Sequence, residues 1–566
     1  MASGGRTERL GLNKWGPKDP LFYQEWNDNF QKIDDGHKQV NDKLEESKVG
    51  IDSRGISLID FPRIVPENDD VGRLTRGIVF AENKTLVLPP EEYIINSSVN
   101  LISNIQLIGW GAKIVQKTNN TTIFVGNGVS NVTIVGVTFE GVGTDFTKVS
   151  GSLARAINIF GTSTNKCENI NITDCAFSNF SYAAIAFMFV DKFSIVRNKI
   201  IGTGALGNIV KNDNYQFGIW LGQTCYNGVV EYNEVTQTAQ GVYTGYDMFN
   251  IKFNLNDVHD ILGQHGFYIS HANTVWITNN FIKKCALMGI KVQQAATSTA
   301  ISKSVKIMFN DVSECGEHGI VTDNTDTNKT LQLYDVLIGF NIVRNCVADG
   351  YSINDLVNSK MVGNKVSNDE DVIADTTKTR HGVIINDCES LEVIDTDVKN
   401  TNGVGFFVNS RNKDIKIKRL NVNEAGQANI SNTNYGVYVQ EGENISFEEV
   451  TTTDINNKSL YSFANVNATN LKVRRSKFYG KDVRFFTSRP VEWHDNEVET
   501  TIINYPNTIV KGRKCNVYHG TIANAPTDGT GYKNGDRYEF TDPIAGGYVG
   551  KILAGSVWKS FGQISN

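Results

Sequence analysis

His318, Asp349 and His381 each stand immediately before a glycine of a recurring Gly-apolar-x-apolar motif. If the motif copies stack, a carboxylate lies between two imidazoles on successive rungs, about 5 Å apart. Such a neighbour raises imidazole basicity and suits general acid–base catalysis near neutral pH. Two His and one Asp can also hold a divalent metal. The alternative is a polar turn ladder in which Asp pairs with His for stability alone. Phe217, Gln240, His265 and Met288 hold the same position before earlier glycines.

Asp355 and Asp387 lie five residues past successive motif glycines, so their backbones should fall one rung apart. Carboxyl groups about 5–5.5 Å apart suit a retaining glycosidase, and about 6.5–9.5 Å an inverting one. Asp247, next to Tyr246, is a further acid candidate. On a chain of formal net charge −6 such acids also serve as solvated surface groups. Asp369-Glu370-Asp371 reads most simply as a solvated loop.

Side chains alternate across a strand, so the residue two past each glycine falls on an outward column. That column runs Trp220, Tyr243, Tyr268, Lys291, Val321, Ser352, Ile384, Phe407 and Tyr438. Its start is a contiguous aromatic strip continued by Lys291. Aromatic faces suit the apolar C–H surfaces of sugar rings, and tyrosine adds a hydroxyl handle. A patch buried beneath a long loop, or between subunits, would read the same way.

The elements that must position these columns form a solenoid. The glycines begin at Gly218, Gly241, Gly266, Gly289, Gly319, Gly350, Gly382, Gly405 and Gly436. An Asn-x-apolar motif begins at Asn198, Asn233, Asn256, Asn279, Asn310, Asn341 and Asn364, with degenerate copies at Cys175, Thr396, Ser476 and Asn496. Both series share a base step of 23 residues with longer excursions, which is how a coil with a variable loop behaves. Apolar–polar alternation inside each motif specifies strands. Asn at a turn can bond to the Asn of the next coil, making that column structural. Cys285, Cys315 and Cys346 each lie four residues before a motif glycine and are expected to stack in the core as free thiols.

The chain has 566 residues, 40% hydrophobic and 20% charged, with 51 Gly and 10 Pro. Its net charge of −6 argues against nucleic-acid or anionic-membrane partners. Its cysteines show no metal-ligand spacing. No cofactor is expected, though a divalent metal remains an option. Met1 to Trp15 contains no apolar signal-peptide core, and the longest apolar run, Ala183 to Val190, is too short to span a bilayer. The protein is therefore expected to be made in a cytoplasm and to leave by a route other than secretion, such as lysis.

Phe22, Trp26, Phe30, Ile33, Val40 and Leu44 recur at near-heptad spacing, predicting an amphipathic helix over Leu21 to Leu44. Its seam would suit a homotrimer, or the helix would fold back as a cap. Ile105-Gln-Leu-Ile-Gly-Trp-Gly-Ala-Lys-Ile reads as the first coil. The expected division is 1–55, an N-terminal attachment segment; 56–508, the β-helix; and 509–566, a small glycine- and aromatic-rich β module.

Three stretches carry a resemblance. Leu86-Val-Leu-Pro-Pro-Glu-Glu-Tyr-Ile-Ile with Asn104-Ile-Gln-Leu-Ile-Gly-Trp-Gly resembles the opening signature of pectate-lyase-like phage tailspikes. Gly11-Leu-Asn-Lys-Trp and Asp28-Asn-Phe-Gln-Lys-Ile-Asp are similar to virion-attachment ends in phages of Gram-positive hosts. The C-terminal Gly535-Asp-Arg and Gly546-Gly-Tyr-Val-Gly-Lys resemble a module at the ends of tail fibres. The resemblance implies an all-β fold: a right-handed single-stranded parallel β-helix with an N-terminal α-helix and a small C-terminal β module. It implies a homotrimeric virion protein, docked to tail or neck proteins through its N-terminus. Such a protein binds a host cell-wall polysaccharide or teichoic acid during adsorption and often depolymerises it, by hydrolysis, elimination or phosphodiester cleavage. A non-enzymatic adhesin and a cellular polysaccharide lyase or hydrolase are the alternatives. The long Ala-rich helix usual after the Asp-Asp pair is short here, and the resemblance assigns no catalytic residue.

Overall fold

The computed structural model describes residues 55–118, 121–142, 154–202, 216–294, 301–326, 332–369, 381–427, 434–454, 458–486, 491–499, 534–540 and 543–564. It also describes strands and single positions within 502–527 and the N-terminal strands Gly5–Arg6 and Asn13–Lys14. The helix expected over Leu21 to Leu44 lies outside the described residues.

The molecule is a right-handed parallel β-helix. A complete coil carries three strands, as in Phe217–Gln223, Tyr226–Glu231 and Glu234–Thr236. The first strands of successive coils make a sixteen-stranded parallel sheet running from Val99–Asn100 to Ile502–Asn504. The other two strands of each coil stack into the remaining walls. Apolar side chains alternate inward, so Ile219, Val242, Phe267, Ile290 and Ile320 are all buried in one continuous core. The predicted outward column stacks rung on rung, with Trp220 beside Tyr243, Tyr243 beside Tyr268, and Tyr268 beside Lys291.

The motif glycines lie over one another because nothing larger fits. A Cβ on Gly241 would meet the Gly266 carbonyl oxygen at 2.4 Å, and one on Gly266 would meet that of Gly289 at 2.8 Å. Inside the opposite turn runs the asparagine ladder. Asn233 donates from Nδ2 to Asn256 Oδ1 at 2.9 Å and to the Ile195 carbonyl at 2.8 Å, while its own N–H donates to Asn256 Oδ1 at 3.1 Å. The ladder corrects one expectation: the member above Asn256 is Asn280, not Asn279. Asp257 pairs with Phe281, so Asn280 holds the turn, Ile282 points inward, and Asn279 takes a left-handed conformation at φ 55°. Cys285, Cys315 and Cys346 are buried free thiols, as expected.

Stacking also starts earlier than Ile105. Ile56–Ser57 pairs in parallel with Thr85–Val87, which pairs with Ile105–Ile108. The helix Val71–Phe80 covers this end, burying Leu74, Gly77 and Ile78. Its N-cap residue, Asp70, is buried, ion-paired to Arg63, and accepts from the Ile94 N–H at 2.8 Å. At the other end Arg537–Phe540 pairs in parallel with Val517–Gly520 and antiparallel with Tyr548–Ala554. The last coil thus passes directly into an antiparallel meander completed by Val557–Gln563.

Candidate functional site

The outer face of the sixteen-stranded sheet carries a continuous run of rings. Tyr182 packs edge-on against Phe217 and Trp220, each at 5.5 Å between centroids. Phe217 lies 5.0 Å from Tyr243, and Tyr243 lies 5.2 Å from Tyr268. Lys291 Nζ sits 5.3 Å from the Tyr268 ring and 3.1 Å from Asp323, so its charge is balanced on the spot. Trp220, Tyr243, Tyr268 and Lys291, all expected here, are thus brought together, each half-buried. Burial raises the Tyr243 and Tyr268 hydroxyls above their usual pKa, with neighbouring tyrosines adding to it. Both therefore stay protonated as hydrogen-bond donors at neutral pH.

Sequence reasoning missed Tyr182 and Arg155, which extend the strip. Arg155 places its guanidinium carbon 4.2 Å from the Tyr182 ring centroid and 5.6 Å from that of Trp220. The signal was present but incomplete. Arg155 pairs with Ala183 and Ala183 with Phe217, so Arg155 belongs to the column that precedes the glycines. In these two coils Ala156 and Ala184 replace the glycine, which cut the motif series short.

The His318–Asp349–His381 column is built as a chain of peptide caps. The Asp349 N–H donates to His318 Nδ1 at 3.2 Å, the His381 N–H to Asp349 Oδ1 at 3.1 Å, and the Val404 N–H to His381 Nδ1 at 3.1 Å. His318 and Asp349 also meet side chain to side chain, at 3.1 Å. The His381 ring packs on Phe407, at 5.4 Å. Each of the three side chains thus spends an acceptor on the backbone of the next rung. Among the described residues no group of three or more His, Cys, Asp or Glu is arranged to hold a metal ion.

Asp247, Asp355 and Asp387 share one corner of the coil. Each directly follows a strand of the sixteen-stranded sheet and has a left-handed backbone, at φ 59°, 57° and 53°. Short polar side chains tolerate that conformation. Asp387 is locked to Arg411 at 2.5 and 2.8 Å, and Asp355 is buried. Neither is placed as an open catalytic acid. Asp247 differs: with Tyr226, His271, Lys303, Tyr334 and Asp335 it lines a groove of about 950 Å³. Tyr246 stacks on His271 at 5.0 Å and raises the Tyr243 and Tyr268 hydroxyls, so it joins strip to groove around the corner. His271, Lys303 and Asp335 gave no motif signal, since each sits at a turn or strand end where the repeat is irregular.

The family model for the right-handed beta helix region matches residues 247–379. No curated protein sequence matches the chain. Among solved structures, a tailspike protein double mutant of E. coli bacteriophage HK620 is 13% identical, covering 83% of this chain and 81% of its own, at a TM-score of 0.49. The Streptococcus pneumoniae surface protein and adhesin PfbA is 12% identical, covering 70% of this chain and all 100% of its own, at a TM-score of 0.46. The catalytic unit of an alpha-1,3-glucanase from Streptomyces thermodiastaticus is 14% identical over 74% of this chain, at a TM-score of 0.37. This chain spans 66% of that unit's length. The strand pairing and the family model make the fold a right-handed parallel β-helix.

Proposed function

We propose that the chain is a spike that binds an extended cell-surface polysaccharide or teichoic acid. The carrying observation is the strip Tyr182–Trp220–Tyr243–Tyr268–Lys291, laid along the solenoid at the pitch of its rungs. A polymer of repeating rings meets repeating rings there: each ring contributes an apolar face, and the three tyrosines add hydroxyls. The resemblance of both ends to virion proteins supports a phage appendage, trimeric and docked through its N-terminus. In the test, Tyr243→Ala with Tyr268→Ala should weaken adsorption to wall polymer at least tenfold at a temperature where the variant is still folded. Unchanged adsorption removes the strip from the binding surface.

A cleavage step is the second reading, favoured by the corner groove in which Asp247 and Asp335 face Lys303 and His271. Product assays on wall polymer, for reducing ends, unsaturated uronates and phosphomonoesters, distinguish an enzyme from a binder. Asp247→Asn should abolish any turnover while leaving adsorption intact.

A further inference from the structure

Arg155 is only 8% exposed, and among the described residues no carboxylate pairs with it. Its Nε has no hydrogen-bond partner among them. Four other arginines of this solenoid are matched: Arg63 with Asp70, Arg197 with Asp174, Arg344 with Asp311, Arg419 with Asp395. A buried guanidinium without an acid is costly, because desolvation is not repaid. The rings of Tyr182 and Trp220 recover part of that cost and fix the fork in place. Consistent with this, burial lowers the Arg155 pKa, and the only opposing influence is Tyr182.

From this we infer that Arg155, held by Tyr182 and Trp220, is an anion subsite at one end of the aromatic strip, taking a carboxylate or phosphate group of the bound polymer. The inference rests on the polymer-binding reading and narrows it to an anionic polymer. Geometry favours such a group: two oxygens match the planar guanidinium fork, and the rings beneath it accept the adjoining sugar or alditol. Lys291, at the other end of the strip, is already neutralised by Asp323 and so does not compete for the charge.

The test uses the full chain and three probes: oligogalacturonate, poly(glycerol phosphate) and a neutral maltodextrin, titrated calorimetrically at low and high salt. At least one anionic probe should bind at least tenfold more tightly than the neutral one, with affinity falling as salt rises. Which anionic probe prevails separates carboxylate from phosphate. Arg155→Gln should abolish that preference, leave weak neutral binding in place, and not lower the melting temperature. If Arg155→Gln does not fold, Arg155→Lys, which keeps charge without the fork, should reduce the preference. Neutral and anionic probes binding equally, or a preference that survives in the variants, overturns the anion subsite while the strip stands. Binding of no probe overturns both readings.

Discussion

The Tyr268 hydroxyl donates to Gln293 Oε1 at 2.7 Å, across one rung of the solenoid. Gln293 is 5% exposed and on its other side reaches Thr325 Oγ1 at 3.4 Å. The ring of Tyr268 is therefore anchored at its hydroxyl and braced by Tyr243, His265 and Lys291 around its body. An anchored ring loses little freedom when a ligand stacks on it, which favours affinity.

This anchoring separates two substitutions. Tyr268→Phe keeps the ring but strands the Gln293 acceptor, so stability should fall by about 1 kcal/mol. Adsorption should fall only a few-fold. Tyr268→Ala removes the ring and should cost adsorption far more. Equal adsorption losses in the two variants would show that the hydroxyl, not the ring, contacts the polymer.

The asparagine ladder gives a prediction about the scaffold itself. Asn310 Oδ1 accepts from both the N–H and Nδ2 of Asn280, while its own Nδ2 donates to Ile277 and Asn341. It is 1% exposed, so no water replaces these partners. Asn310→Ala leaves several buried groups unpaired, at about 1–3 kcal/mol each, and should destabilise by about 3 kcal/mol or more. Asn310→Asp does not rescue it, because a carboxylate cannot donate to the Ile277 carbonyl. Lys199→Ala, which breaks an exposed ion pair with Glu234, should change stability by about 0.5 kcal/mol or less. Denaturant midpoints for the three variants check this ordering, and equal shifts would remove the ladder's special role.

What the sequence made legible was whatever repeats. Gly218 to Gly436 and the Asn column recur because every coil meets the same steric and hydrogen-bonding demand, so the outward column from Trp220 to Tyr438 followed by alternation alone. Asn279 and Asn280 satisfy the same motif in sequence because they are adjacent asparagines, and only register with Asp257 separates them. The columns with chemical potential were harder to read. His318, Asp349 and His381 stack as expected, yet sequence cannot say that each spends its acceptor on the next peptide N–H. Arg155 escaped because alanine replaces the motif glycine in its coil. The groove beside Asp247 escaped because Lys303 and Asp335 reach it from different coils, with no shared spacing.

His265 predicts how the strip responds to acid. It is 5% exposed, its Nδ1 accepts from the Met288 N–H at 3.4 Å, and its ring lies 5.3 Å from Tyr268. Burial, and then the nearby Lys291 charge, lowers its pKa to about 3. An unfolded histidine titrates near about 6.5, so on acidification the unfolded chain takes up this proton first. The stability contributed by neutral His265 is therefore complete above about pH 6.5 and declines as pH falls from there toward about 3. At pH 4.5 the loss amounts to about 2–3 kcal/mol, from about 1.4 kcal/mol per pH unit. His265→Asn keeps an acceptor for Met288 but cannot take a proton, so its stability should fall less between pH 7.5 and 4.5 than that of the wild type. Carboxylates elsewhere titrate equally in both proteins, so the difference between the two curves isolates this ring. Because the folded ring stays neutral until about pH 3, adsorption by the folded wild type should change little over the same interval, so the effect is read in stability and not in binding. Superimposable curves would mean that the buried imidazole leaves its pocket, or gains a counter-charge, before it is protonated.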